Sequence, residues 1–398
     1  MRWSLVALIS IAGCHSEAGE RAVVRDPPEV APSVIAATSD APPGPEAAPH
    51  ADRKRACISE ALVGADPRLH GLIRAVCAEW VERELPGLAL AVAEPGAAAF
   101  ELQLGVRCLG EATPVGAATQ FRFGSISKPV TAALALGLVA DRRLSLTGRA
   151  GALVAGYDTP SGVPDPTLGA LLSHRSGLGE IAPAQLVELD GAWLPALARS
   201  AAAGAPGEYH YSNAGYAVIG AMLSAATSQD YPTLVGERVA APLGLGSFTV
   251  DAKLASAAAC GHLDGAQGRA PIRVADDLEF MPGDPSWMNP GGGVLGSAID
   301  LAWFALALGS ERLPGTAAML EPGEPLPQAR RPDERYGYGL RSWSLADRTT
   351  AYGHSGNNGA FAAELMFVPG RRAIVLLTNC GAELPASVAA ADQLLTVP

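Results

Sequence analysis

The feature that most restricts the fold is a run of twelve residues without charge, "PVTAALALGLVA" at 129–140. Its composition suits a helix, and no face of that helix is polar, so protein has to cover it on every side. A domain with layers of structure around a central helix meets that demand. The run opens on Lys128, the last residue of Ser125-Ile126-Ser127-Lys128. A Lys is costly to bury without a partner. If Ser125 sits at or just inside the helix N-terminus, Lys128 lies one turn on and shares its face. The amine can then hydrogen-bond the hydroxyl, beside the free N–H groups of the helix start. Burial of the stem should depress the amine's pKa and suit it to take or relay a proton. An S-x-x-K tetrapeptide alone is a weak signal.

Strand patterns lie toward both ends of the chain. "LALAVAEPGAAAFELQLG" (88–105) reads as two apolar runs around a Glu94-Pro95-Gly96 turn. Ahead of it, Asp66 and Pro67 start a helix in which Leu69, Leu72, Ile73, Val76 and Trp80 recur at helical spacing. Near the other end, "TTAYGHSG", "GAFAAELMFV" and "RRAIVLLTN" form a three-strand meander, closed by a helix in "ELPASVAAADQLL". Between them helical patterns dominate, as in "LGALLSH", "WLPALARSAA", "AGYAVIGAMLSAAT" and "YPTLVGERVAAPLG". The expected fold is α/β: an antiparallel sheet flanked by helices and built from both chain ends (about 66–145 and 300–398), with an all-α insertion at about 146–299.

The first residues read as an export signal. Arg2 precedes an uncharged run at 5–13 that is too short to span a bilayer. The run ends in "ISIAGC", which resembles the lipobox of bacterial lipoproteins, with Cys14 as the acylated residue; an ordinary cleaved signal is the alternative. Residues 14–52 carry seven prolines between Pro27 and Pro49 and no apolar periodicity, which suits an extended tether. The folded domain is expected at 53–398, as a cell-envelope lipoprotein facing the periplasm or cell surface, or as a secreted soluble protein. A net charge of −11 argues against a nucleic-acid partner. Apart from Cys14 there are five cysteines, so at least one is left without an intramolecular partner; Cys57 and Cys77, nearest in sequence, form one candidate pair. No Cys/His cluster suggests a metal, and no cofactor is implied.

Two further motifs bear chemistry. In "PGEYHYSNAGYAVIG" the phenol of Tyr211 can serve as a base if an ammonium stabilises its phenolate, and Asn213 can bind a substrate carbonyl. The plain alternative is a helix start capped by Ser212 or Asn213. In "YGHSGNNG" a strand can present His354 and Ser355 to a bound carboxylate while Gly356 admits a close backbone approach; the alternative is a turn with a structural His. The set Ser125-x-x-Lys128, Tyr211-x-Asn213, His354-x-Gly356 resembles the serine β-lactamase and D,D-peptidase superfamily, in its class C-like branch. The stretches "LLSHRSGL", "VAAPLGLGSF", "NPGGGVLGSAIDLAWFA" and "YGYGLRSW" carry the likeness across residues 66–398.

The resemblance implies that Ser125 is the acylated nucleophile, Lys128 its proton partner and Tyr211 a general base and acid. Asn213 would hold the substrate amide, His354, Ser355 and Gly356 the opposite wall, and the backbone N–H groups of Ser125 and Asn357 the oxyanion hole. His354 stands where many β-lactamases carry Lys, so its grip on a carboxylate should be weaker and pH-dependent. D-alanyl peptides or small esters therefore rank ahead of β-lactams as substrates. An α/β-hydrolase reading of "GHSGN" fails, because the fifth residue is Asn357 and no His follows His354. A non-catalytic wall-peptide-binding lipoprotein is the rival of another class. His174 and the Gly291–Gly293 run read as structural, the latter as close backbone packing near the site, and Trp80 and Trp303 as core.

Overall fold

The computed structural model describes residues 50–265, 268–274, 284–328, 330, 331 and 333–397. Cys14 and the tether up to residue 49 lie outside the described residues. The longer helices are α1 (His50–Ala61), α2 (His70–Glu82), α3 (Ser127–Ala140), α4 (Asn213–Thr227), α5 (Ala298–Ala307) and α6 (Pro385–Thr396). The main-sheet strands are β1 (Gly87–Ala93), β2 (Phe100–Gly105), β3 (Glu324–Pro325), β4 (Arg335–Tyr336), β5 (Arg341–Ser344), β6 (Thr350–Asn357), β7 (Ala362–Val368) and β8 (Arg372–Thr378).

These eight strands form one antiparallel sheet in the order β2-β1-β8-β7-β6-β5-β4-β3. The pairing of β1 with β8, Leu90 opposite Leu376, joins the two chain ends. Alternation along the strands separates two cores. Leu88, Leu90, Val92, Ile374 and Leu376 face α1, α2 and α6. Ala89, Ala91, Ala93, Val375 and Leu377 face α5 and the helical part, where the small alanines admit a close helix. The α3 helix runs through that second core with eleven of its fourteen residues buried, as its lack of a polar face requires.

Two local details extend the sequence reading. Asp66 and Pro67 open a 3₁₀ turn, Pro67–Leu69, that leads into α2. Helix α1 begins at His50, inside the residues read as tether, although it buries only Cys57 and Ala61. A disulfide from Cys57 to Cys77 fastens it to α2. A second disulfide joins Cys108 to Cys260, and Cys380 is a buried free thiol. Trp80 and Trp303 are half-buried at the margins of the two cores.

Candidate active site

Ser125 lies in a single 3₁₀ turn, Gly124–Ile126, that feeds directly into α3. The turn is braced on one side by Ser127, whose Oγ accepts from the Val294 N–H at 3.0 Å. On the other side it abuts the end of β6 so closely that only glycine fits. A Cβ at Gly356 would lie 1.9 Å from the Phe123 carbonyl oxygen and 3.1 Å from the Ser125 nitrogen. Gly124, at φ +54°, would place its Cβ 3.0 Å from the Asn357 nitrogen. The backbone nitrogens of Ser125 and Asn357 therefore lie along one seam.

Lys128 is fully buried, and its Nζ has three oxygen neighbours: Asn213 Oδ1 at 2.7 Å, the Gly291 carbonyl at 2.8 Å and Ser125 Oγ at 3.1 Å. The ammonium form donates to all three. The neutral amine donates to the two carbonyl oxygens, which can only accept, and its lone pair is then left for the Ser125 hydroxyl proton. Burial lowers the Lys128 pKa to about 7, so both forms are populated near neutrality. The Gly291 carbonyl gives the glycine run its place: a Cβ at Gly291 would stand 3.7 Å from Nζ.

Tyr211 and Asn213 flank the start of α4. Ser212 is the N-cap, its Oγ accepting from the Gly215 N–H at 2.9 Å, so capping and site geometry coexist in one tripeptide. The cap fixes the chain so that the Tyr211 side chain lies beside Ser125 and Asn213 reaches Lys128. Burial holds the Tyr211 phenol well above its ordinary pKa, so at neutral pH it keeps its proton. Its ring lies 4.7 Å from Lys128 Nζ. His174 serves the backbone, as expected: its Nδ1 accepts from the Ser212 N–H at 3.1 Å, and its ring lies 4.2 Å from that of Tyr211.

The third motif departs from expectation. His354 joins the cluster, 6.4 Å from the Tyr211 ring, but it is buried and committed. Its Nδ1 is 2.6 Å from the Ser355 carbonyl, which can only accept, so Nδ1 carries the proton. Nε2 then accepts from the Tyr336 hydroxyl at 3.0 Å. Burial, with Arg341 and Lys128 nearby, drives its pKa well below the ordinary value, so the ring is neutral and has no spare N–H for a carboxylate. Ser355 is corrected as well. Adjacent residues of a strand point to opposite faces, and Ser355 lies opposite Glu364 on the far side of the sheet. It lines a cavity of about 350 Å³ with Arg330, Arg331, Arg341, Trp343 and Glu364.

The sequence reading passed over Glu180. Its side chain reaches the surface, and its carboxylate accepts from the backbone N–H of Asn213 at 2.5 Å. The sole signal was its place two residues after "LLSHRSGL".

A serine hydroxyl against a buried amine, a protonated phenol and two backbone nitrogens define a serine hydrolase that works by acyl transfer, on an antiparallel sheet unlike that of the α/β-hydrolases. A family model described as Beta-lactamase matches residues 72–397, and the chain belongs to that family. It is 30% identical over 327 residues to penicillin-binding protein 4 of Amycolatopsis lactamdurans, spanning 75% of this chain and 82% of that protein. Two solved structures share the fold. The D-alanine carboxypeptidase AmpC of Burkholderia cenocepacia has a TM-score of 0.65 at 23% identity, over 87% of this chain and 99% of that one. A D-stereospecific amidohydrolase of a Streptomyces species has a TM-score of 0.64 at 19% identity, over 86% and 98%.

Proposed function

We propose that this hydrolase cleaves an amide or ester whose recognition does not depend on a carboxylate: an N-terminal D-amino-acid peptide or amide, or a small ester. The observation that carries this reading is the neutral, doubly engaged His354, the residue that the family resemblance assigns to a substrate carboxylate. Carboxypeptidase and β-lactamase activity both draw on such a contact, so they rank lower. Among the structural relatives, the amidohydrolase is the better guide to substrate.

In the proposed cycle, neutral Lys128 takes the Ser125 proton as Oγ attacks the carbonyl carbon. The N–H groups of Ser125 and Asn357 hold the oxyanion. Tyr211 gives its phenolic proton to the leaving amine or alkoxide and recovers one from the Lys128 ammonium. One N–H of Asn213 steadies the substrate amide. Water then attacks the acyl-enzyme, with proton transfers in reverse. Because neutral Lys128 starts the reaction, kcat/KM rises with pH through about 7.

The test is a panel of D-alanine p-nitroanilide, N-acyl-D-Ala-D-Ala, short p-nitrophenyl esters and a chromogenic cephalosporin, with Ser125→Ala as the control. Turnover confined to the carboxylate-bearing substrates would refute the reading. A non-catalytic binding protein would be revealed by absent fluorophosphonate labelling of folded chain. We further propose that Cys14 is lipidated and holds the domain to a membrane, which Cys14→Ser should release; unaltered membrane association would reject the lipobox.

A further inference from the structure

We propose that Glu180 is a positioning residue for acylation that acts through Asn213: its carboxylate orients the Asn213 amide toward Lys128 and sets one negative charge behind that amine. This rests on the reading above that Lys128 is the proton partner of Ser125.

The geometry is a chain of contacts. The Glu180 carboxylate accepts from the backbone N–H of Asn213 at 2.5 Å and lies beside the Ala214 N–H and the Asn213 side chain. A carboxylate can only accept, so the end of the Asn213 amide that it favours on its own side is Nδ2. Oδ1 then faces Lys128, 2.7 Å from Nζ. Rotated by half a turn, the amide would point Nδ2 at the ammonium and its oxygen at the carboxylate, two repulsive contacts. Glu180 thereby settles which atom Lys128 meets.

Among the described residues this charge has no rival nearby. The groups around Lys128 are Tyr211 and Tyr216, whose rings lie 4.7 and 5.5 Å from Nζ, with His174, His354 and Glu180. Burial keeps both tyrosines protonated and both histidines neutral. Among the described residues, Glu180 is the carboxylate that opposes the lowering of the Lys128 pKa by burial. Removing its charge should make the amine easier to deprotonate.

The experiment follows the rate of fluorophosphonate acylation against pH in full-length wild type, Glu180→Gln, Glu180→Asp and Lys128→Ala, with a thermal melt of each. In Glu180→Gln the rising limb near pH 7 should move to lower pH by about half a unit or more, while the plateau rate falls several-fold from the misaligned amide. Glu180→Asp, which keeps the charge, should restore most of the limb position. An unmoved limb, or one moved to higher pH, overturns the proposal even if the melt drops, because a helix-capping role alone would leave the limb in place. If wild type shows no limb, or Lys128→Ala acylates normally, the parent reading of Lys128 fails instead, and the two failures are separable. Should Glu180→Gln prove unstable, Glu180→Ala supplies the same comparison.

Discussion

Gly356→Ala tests the seam between β6 and the Ser125 turn with one methyl group. That methyl would sit 1.9 Å from the Phe123 carbonyl oxygen and 3.0 Å from its carbonyl carbon. Both are backbone atoms of the turn, so no side chain can swing aside. Relief requires β6 and the turn to part by more than an ångström, roughly the gap between 1.9 Å and an ordinary contact of about 3.2 Å. The nitrogens of Ser125 and Asn357 ride on the two pieces that separate. Losing one oxyanion donor costs about 3–4 kcal/mol of transition-state stabilisation, which is about 10²–10³ in rate. Overpacking costs about 1–3 kcal/mol of stability, against a typical total of about 5–15 kcal/mol, so the variant should stay folded. Gly236→Ala is the control, since its Cβ would meet nothing within 4 Å. The assay is kcat/KM for p-nitrophenyl acetate beside a thermal melt. A fall of about 10²–10³-fold with a melt lowered by a few degrees is expected. Near-normal turnover in Gly356→Ala would show that the seam does not hold the oxyanion.

Three further outcomes are expected. Lys128→Ala should cut fluorophosphonate acylation by about 10²–10⁴-fold and leave the melt near that of wild type; retained acylation would take the amine out of the mechanism. From sequence alone, His354→Lys would be expected to improve the handling of carboxylate substrates. The structure instead expects a loss, because an ammonium there is buried, forfeits the Tyr336 bond and sits near Arg341 and Lys128; a gain with N-acyl-D-Ala-D-Ala would contradict it. Glu364 is half-buried on the cavity behind β6, and burial raises its pKa to about 7. A carboxyl raised on folding stabilises most below its unfolded pKa, and the contribution drains away as pH climbs through 7. Glu364→Gln should therefore add stability at pH 8 relative to pH 4.5, by no more than about 3 kcal/mol; an equal change at both pH values would dispose of the linkage.

The legible parts of the site are those whose geometry is local. Ser125 and Lys128 are three residues apart on one helix start, so their meeting follows from helix spacing. Tyr211 and Asn213 bracket an N-cap, and the cap alone explains why they are held still. The sheet's construction from both ends was legible because apolar runs separated by turn residues mark strands in any context. Ser355 was misread despite a local rule that covers it: neighbours on a strand cannot share a face, so His354 and Ser355 cannot both address one ligand. The remaining gaps are tertiary. The neutrality of His354 depends on Tyr336, eighteen residues away on another strand, and on a carbonyl whose direction only the folded backbone sets. Glu180 meets Asn213 across thirty-three residues with no periodicity to announce it. Helix α1 buries two residues and is held to α2 by a disulfide, the Lys54–Glu82 ion pair and Arg53 over the Trp80 ring. A motif can thus name the atoms of a reaction, while their protonation is set by partners it does not contain: Tyr336 beside His354 and, on the proposed reading, Glu180 behind Lys128.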